Sequence, residues 1–462
     1  MQDNKKKLFI IIFFISIAIL AGVYVAFQSS STNTNSSTTG SSNTYQSFNP
    51  FGNGKTVTNN TNTTNTTGIN TAAPTEQTAN VNSKFHKITD FAVSGATFFE
   101  DQRPIQTTPT NTATDNATTA TVTNPTATTD TTTVKTTTTS TKTKKTKVVS
   151  KKIVAAPTFD IVPAIRYVER ATGHIYEMYL DTKATGQISN STIPTIYEAL
   201  FGNSANSVIY RYLSDDNTTI NSYMATLGGT SGEFLVNNIQ DISLSPDKSK
   251  FFYLVNSGND IIGITRSFTD NKKAQIFVSP YTEWLSQWVT DKTIYLTTKA
   301  SSQFNGDIFS LNITTGALTK IFGDVSGLTT LSNNNGSTIL YNNSTSSGPR
   351  LGLFDVNKHI SNYLDSYGLP EKCVWSVDNI NLYCAIPNTI VGTDYPDAWY
   401  QGIISFDDHF IKINTVTGQT TFIADSSTNE SVDATHLFLN KDESSLFFIN
   451  KKDSTLWSLD LN

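Results

Sequence analysis

Two segments concentrate the side chains best suited to gripping a ligand. SPYTEWLSQW, residues 279–288, holds Tyr281, Trp284 and Trp288; VGTDYPDAWYQGIISFDDHF, residues 391–410, holds Tyr395, Asp397, Trp399 and Tyr400. Flat rings stack on sugar and peptide groups, while hydroxyl, amide and carboxylate tips specify them. Tyr281, Trp284, Tyr395, Asp397, Trp399 and Tyr400 are therefore the candidate ligand contacts. The plain alternative for Trp284 and Trp288 is bulk inside a core. The second segment reads as a long connection, and connections on rigid scaffolds often carry function.

Motifs for covalent, metal or phosphate chemistry are missing from the sequence. There is no G-x-S-x-G, no H-E-x-x-H, no C-x-x-C and no glycine-rich phosphate loop. No catalytic, cofactor or metal residue is assigned, and no cofactor is expected. The five histidines, His86, His174, His359, His409 and His436, are scattered and read as strand-face or surface residues. Asp215-Asp216 and Asp407-Asp408 are adjacent carboxylates. Neighbours on a strand point to opposite faces, and in loops such pairs favour turns. Cys373 and Cys384 are the two cysteines. Their context, CVWSVDNINLYC, reads as two strands about an Asp378-Asn379 turn, a register that sets Cys373 against Cys384. A disulfide is expected there; two buried thiols are the rival.

The elements that must position these residues show themselves as a repeat. Short apolar strands carry one aromatic each, at Tyr167, Tyr210, Tyr253, Tyr295, Tyr341, Tyr383 and Phe448, spaced 43, 43, 42, 46, 42 and 65 residues apart. Around each aromatic strand the pattern yields an inner strand before it and two strands after it. The intervening turns are rich in Pro, Asn, Asp and Gly. Four strands per period, seven times over, is the bookkeeping of an all-β, seven-bladed β-propeller. A β-sandwich predicts no such period. The long last interval is taken up by 388–409, so no eighth blade is hidden there.

The Ser245-Pro246-Asp247 turn between an inner and an aromatic strand resembles the TolB-like, WD40-like propeller repeat. Asn333-Asn334-Asn335 and Asn440-Lys441-Asp442 are degenerate forms of it, and no Trp-Asp dipeptide ends a repeat. RYVERATGHIYEM, SPYTEWLSQW, LPEKCVW and YPDAWYQG are also similar to segments of membrane-anchored bacterial propeller proteins. That resemblance implies fold and topology and brings no activity with it.

Composition divides the rest. Leu8–Phe27 is a 20-residue apolar run preceded by Lys5, Lys6 and Lys7. It predicts a transmembrane helix over 8–27 with residues 1–7 cytoplasmic and everything beyond outside the cytoplasm, at the cell membrane. A cleaved signal peptide is the rival; the run is long for one and lacks a good small-x-small site. Residues 28–83 and 102–157 are so rich in Ser, Thr and Asn that they are expected to be disordered, as a stalk and as an insertion. Between them stands HKITDFAVSGATFFED, residues 86–101, an apolar island in polar sequence. Blade seven ends one strand short at Asn462, and blade one begins at AIRYVE without its inner strand. Residues 84–101 are expected to supply both, closing the ring of a propeller that otherwise spans 158–462. Closure through 147–164 is the alternative.

Charge narrows the partners. Residues 158–462 hold 31 Asp/Glu against 19 Lys/Arg, while the first 157 hold 7 against 14. An acidic folded part excludes nucleic acid as the natural ligand. The expectation is a membrane-anchored binding or scaffold module for a protein partner or a cell-envelope glycan, without catalysis. An envelope-polymer lyase or hydrolase working in the propeller funnel, and a structural part of a surface assembly, are the alternatives. Converging acidic and basic side chains in the central channel would favour the enzyme; an apolar, aromatic rim would favour binding.

Overall fold

The computed structural model describes residues 84–104, 159–229, 232–426 and 430–462. Seven four-stranded antiparallel sheets make a seven-bladed β-propeller. The innermost strands, in blade order, are Val93–Pro104, Ile196–Gly202, Asp241–Leu244, Trp284–Thr290, Thr330–Ser332, Cys373–Trp375 and Ala434–Leu439. Each blade runs outward strand by strand. Every connection from an outermost strand to the next innermost one therefore lies at one end of the central channel. The loops between second and third strands share that end, here called the crossing face.

The turn from first to second strand explains the period. In Ser245-Pro246-Asp247-Lys248 the Ser245 hydroxyl donates to Asp247 at 2.6 Å, and the Ser249 amide donates to the same carboxylate at 3.0 Å. Ser376, Asp378 and Ile380 repeat the arrangement in blade six. The fourth turn residue is left-handed in each case, with φ of 54° at Lys248, 61° at Asn379, 54° at Glu443 and 76° at Gly336. These side-chain bonds offset the strain of that conformation at non-glycine residues.

Packing lies in the seams. One apolar cluster fills each of the seven blade junctions, and the repeat aromatics Tyr210, Tyr253, Tyr295, Tyr341, Tyr383 and Phe448 sit inside them. Fully burying such a side chain stabilises by roughly 2–3 kcal/mol. The junction of blades seven and one joins Leu456, Phe447 and Ile449 to Val93, Ile165 and Tyr167, with Ile88 and Phe91 packed against them. Phe85–Lys87 is the outermost strand of blade seven, pairing Phe85 with Leu459 and Lys87 with Trp457. Val93–Pro104 is the innermost strand of blade one and pairs along its length with Phe159–Glu169. At Gly95 an added Cβ would lie 2.0 Å from the Ala199 carbonyl oxygen, so glycine is what lets blades one and two meet.

The apolar run 8–27 and residues 28–83 and 105–157 lie outside the described residues. Residues 102–104, expected within the disordered insertion, instead extend the inner strand of blade one, because residues 159–161 continue the second strand opposite them. Among the described residues no helix is long and apolar enough to cross a membrane.

Candidate functional site: the channel mouth and its capping insertion

The residues paired with the repeat aromatics in blades two to five are Ala199, Ile242, Gln287 and Thr330. One position earlier, at a common level near the crossing face, stand Glu198, Asp241, Ser286 and Thr329. Blade six contributes Glu371 from a 3-10 turn, Pro370–Lys372, that precedes its inner strand. Blade seven contributes His436, placed by a bulge between Thr435 and Phe438 with φ of 53°. Bulges re-aim side chains in this way. Sequence reading missed this ring because its members lie a blade apart along the chain.

Each acid is held. Arg211 Nη1 donates to Glu198 at 2.5 Å and Nη2 to the Ile239 carbonyl at 2.5 Å. Asp241 accepts from the Ser286 amide at 2.7 Å and its hydroxyl at 2.6 Å. Glu371 accepts from the Tyr400 hydroxyl, and the Thr329 hydroxyl lies 3.0 Å from its other oxygen. Surrounding protein pushes Asp241 up to about 6 despite the bonds from Ser286. Glu371 is also raised, by burial first. The His436 pKa is lowered by burial, with Glu198 opposing, although solvent reaches the ring. Solvent access combined with desolvation is the condition of a side chain in a narrow channel. Glu198 and His436 both stand on innermost strands, Ile196–Gly202 and Ala434–Leu439, although blade one separates their blades.

An insertion, 388–407, links the second and third strands of blade six and caps part of the mouth. Tyr395, Trp399 and Phe406 form its own small core with Leu369. It reaches blade five through the Ser344 hydroxyl, which donates to the Tyr395 carbonyl, and blade four through the Ser302 amide, which donates to Asp397 at 2.6 Å. Beneath it Lys372, fully buried, lies 2.8 Å from Asp408 and 2.6 Å from Asp433. Asp433 also accepts from Trp399 Nε1 at 3.0 Å and from the Phe406 amide at 3.1 Å. This network pins the insertion to blades six and seven. Burial pushes Asp408 up to about 6, with the Lys372 charge opposing.

The sequence-singled residues divide accordingly. Tyr395 and Trp399 are buried, at 0 % and 3 %, and present no ring to solvent; they hold the insertion. Trp284 fills the seam of blades three and four with Trp288. Tyr281 (72 % exposed) and Tyr400 (40 %) remain on the crossing face, joined by exposed Phe304 and Ile403. Asp407 and Asp408 point opposite ways, Asp407 to Lys452 at the surface and Asp408 to buried Lys372. Asp216 closes a turn by accepting from the Thr218 and Thr219 amides. Cys373 and Cys384 face each other across neighbouring strands, Cα atoms 4.1 Å apart, and form a disulfide. No group of three His, Cys, Asp or Glu among the described residues could hold a metal ion.

Fold and site together define a seven-bladed propeller with a polar, capped channel mouth. No family model and no curated protein matches the chain. Solved structures similar to it include an oligogalacturonate lyase in complex with manganese, at 10% identity and TM-score 0.47, covering 65% of this chain and 85% of that one. TolB from Acinetobacter baumannii is similar at 10% identity and TM-score 0.37, covering 65% and 76%. The β-propeller domain of the trilobed protease from Pyrococcus furiosus is similar at 12% identity and TM-score 0.45, covering 65% and 92%. TolB-like propellers, which the Ser245-Pro246-Asp247 turn resembles, are thus among its neighbours; at these values none bears on activity.

Proposed function

We propose that this propeller is a non-catalytic binding module that engages its partner at the crossing face. The observation that carries the reading is the capping insertion. It is pinned to blades four, five, six and seven, and it exposes Tyr400 and Ile403 on the same crossing face as Phe304, with the Tyr400 hydroxyl bonded to Glu371 of the mouth. A rigid apolar rim over a polar centre suits recognition, because little ordering entropy is lost on binding. The mouth offers chiefly acceptors, so the partner brings donors: a basic segment of an envelope protein fits best, a hydroxyl-rich glycan next. Leu8–Phe27 would anchor the chain in the cell membrane with the propeller outside the cytoplasm.

A second reading, an enzyme acting in the funnel, is favoured by one observation. Burial pushes Asp241 up to about 6 and lowers the pKa of His436, both on innermost strands, and perturbed groups in a cleft are candidates for acid–base work. Incubating the full chain with its own envelope fraction separates the two readings. Binding predicts capture of a component that Tyr400→Ala with Ile403→Asp no longer retains, with no new product released. Release of polymer fragments, abolished by Asp241→Asn or His436→Ala, would replace binding with catalysis.

A further inference from the structure

A cavity opens between the outer parts of blades one and two, lined by none of the channel-mouth residues. It measures about 540 Å³, within the roughly 300–1,000 Å³ typical of small-ligand sites. One wall is the strap 188–193 that leaves blade one; the other is the face of blade two that carries Tyr210, Tyr212 and Tyr223. Tyr210 and Tyr212 are two apart on Ser207–Leu213 and share a face, and Tyr223 is paired directly with Tyr210. Tyr210 is only 3 % exposed. Its hydroxyl bonds no described residue, yet it is not among the sealed, unpaired polar atoms, so it opens on the cleft. The Tyr212 and Tyr223 hydroxyls likewise bond no described residue.

The lining defines the ligand by exclusion. Among the described residues it includes no Asp, Glu, Lys, Arg or His, so an ionic ligand would lose its hydration without a counter-charge. A purely apolar ligand would leave buried phenols unpaired, at a cost of about 1–3 kcal/mol each. What fits has apolar faces and several hydroxyls. We propose that this cleft binds a neutral saccharide unit, its ring packed on tyrosine and its hydroxyls bonded to the three phenols and the Ser/Thr strap. The site is independent of the channel mouth, and neither proposal needs the other.

Calorimetric titration of the full chain with N-acetylglucosamine, its disaccharide and glucuronic acid tests it. Saturable binding of a neutral sugar and none of the charged one is expected. Tyr210→Phe and Tyr223→Phe keep the rings and should each weaken binding about three- to tenfold. Ser191→Trp, on the exposed strap, should fill the cleft and abolish binding even if a core tyrosine variant fails to fold. No saturable binding of either neutral sugar up to millimolar concentrations, equal binding of glucuronic acid, or an affinity unchanged in all three variants would overturn the proposal.

Discussion

The Lys372 ammonium lies 2.6 Å from the Asp433 carboxylate, with neither side chain exposed, under the insertion that caps the channel mouth. Asp408 at 2.8 Å and the Ala434 carbonyl at 3.0 Å complete the ammonium's three bonds. The insertion's Trp399 and Phe406 bond to the same Asp433, so one ion pair sets both stability and the shape of the crossing face. Lys372→Met would leave two carboxylates buried without a cation. Removing one partner of such a pair costs about 3–5 kcal/mol. Urea unfolding should show that loss, and protease cleavage within 388–407 should accelerate.

The Cys373–Cys384 bridge closes a short hairpin between residues already paired in the sheet. Short loops gain least from cross-linking, and a contribution of about 2 kcal/mol is expected. Cys373→Ala with Cys384→Ala should lower the unfolding free energy by that amount in urea titrations and leave the sheet register intact by amide exchange. Alkylation of both thiols in folded, unreduced protein would contradict the bridge.

Gly95 tests the junction of blades one and two. Its α-carbon faces the Ala199 backbone so closely that a methyl group would reach 2.0 Å from a carbonyl oxygen. Backbone cannot give way as a side chain can. Gly95→Ala should destabilise by about 2–3 kcal/mol, and should release the nearby bond from the Ser94 hydroxyl to the Ile196 carbonyl. An unchanged melting temperature would show that residues 93–104 are not held against blade two.

Asp241 gives a pH signature. Its folded pKa, near 6, lies above its ordinary value of 3.8, so the folded state binds the extra proton between those values. Stability should therefore be greatest below pH 4 as far as this group is concerned, and should fall as pH rises toward 6. Asp408 contributes the same sign. Asp241→Asn should flatten part of that slope in urea midpoints measured across pH 4–7. An unchanged slope would mean that Asp241 is an ordinary surface carboxylate.

The architecture was legible because a propeller repeats its cues. An aromatic at Tyr210, Tyr253, Tyr295, Tyr341 and Tyr383 recurs every blade, and the disulfide is written into a single hairpin, CVWSVDNINLYC. The channel mouth was not legible for the converse reason. Glu198, Asp241, Glu371 and His436 come from four different blades, and only ring closure brings them together. The insertion was visible as a long aromatic connection, but its rings were misdirected by appearance. Tyr395 and Trp399 turn inward because the segment needs a core of its own, whereas Tyr400 stays on the rim. Lys372 shows the same limit: in LPEKCVW nothing distinguishes a surface lysine from one with no exposed side chain.

The claim that the crossing face is the binding face can be tested without disturbing the fold. A photo-crosslinking residue at Ile403, 74 % exposed on the insertion, can be compared with one at Val416, 79 % exposed in the turn between the third and fourth strands of the same blade, at the opposite end of the channel. On irradiation with the envelope fraction, a discrete adduct is predicted at position 403 and none at 416. Adducts of equal yield at both positions, or an adduct at 416 alone, would contradict the account.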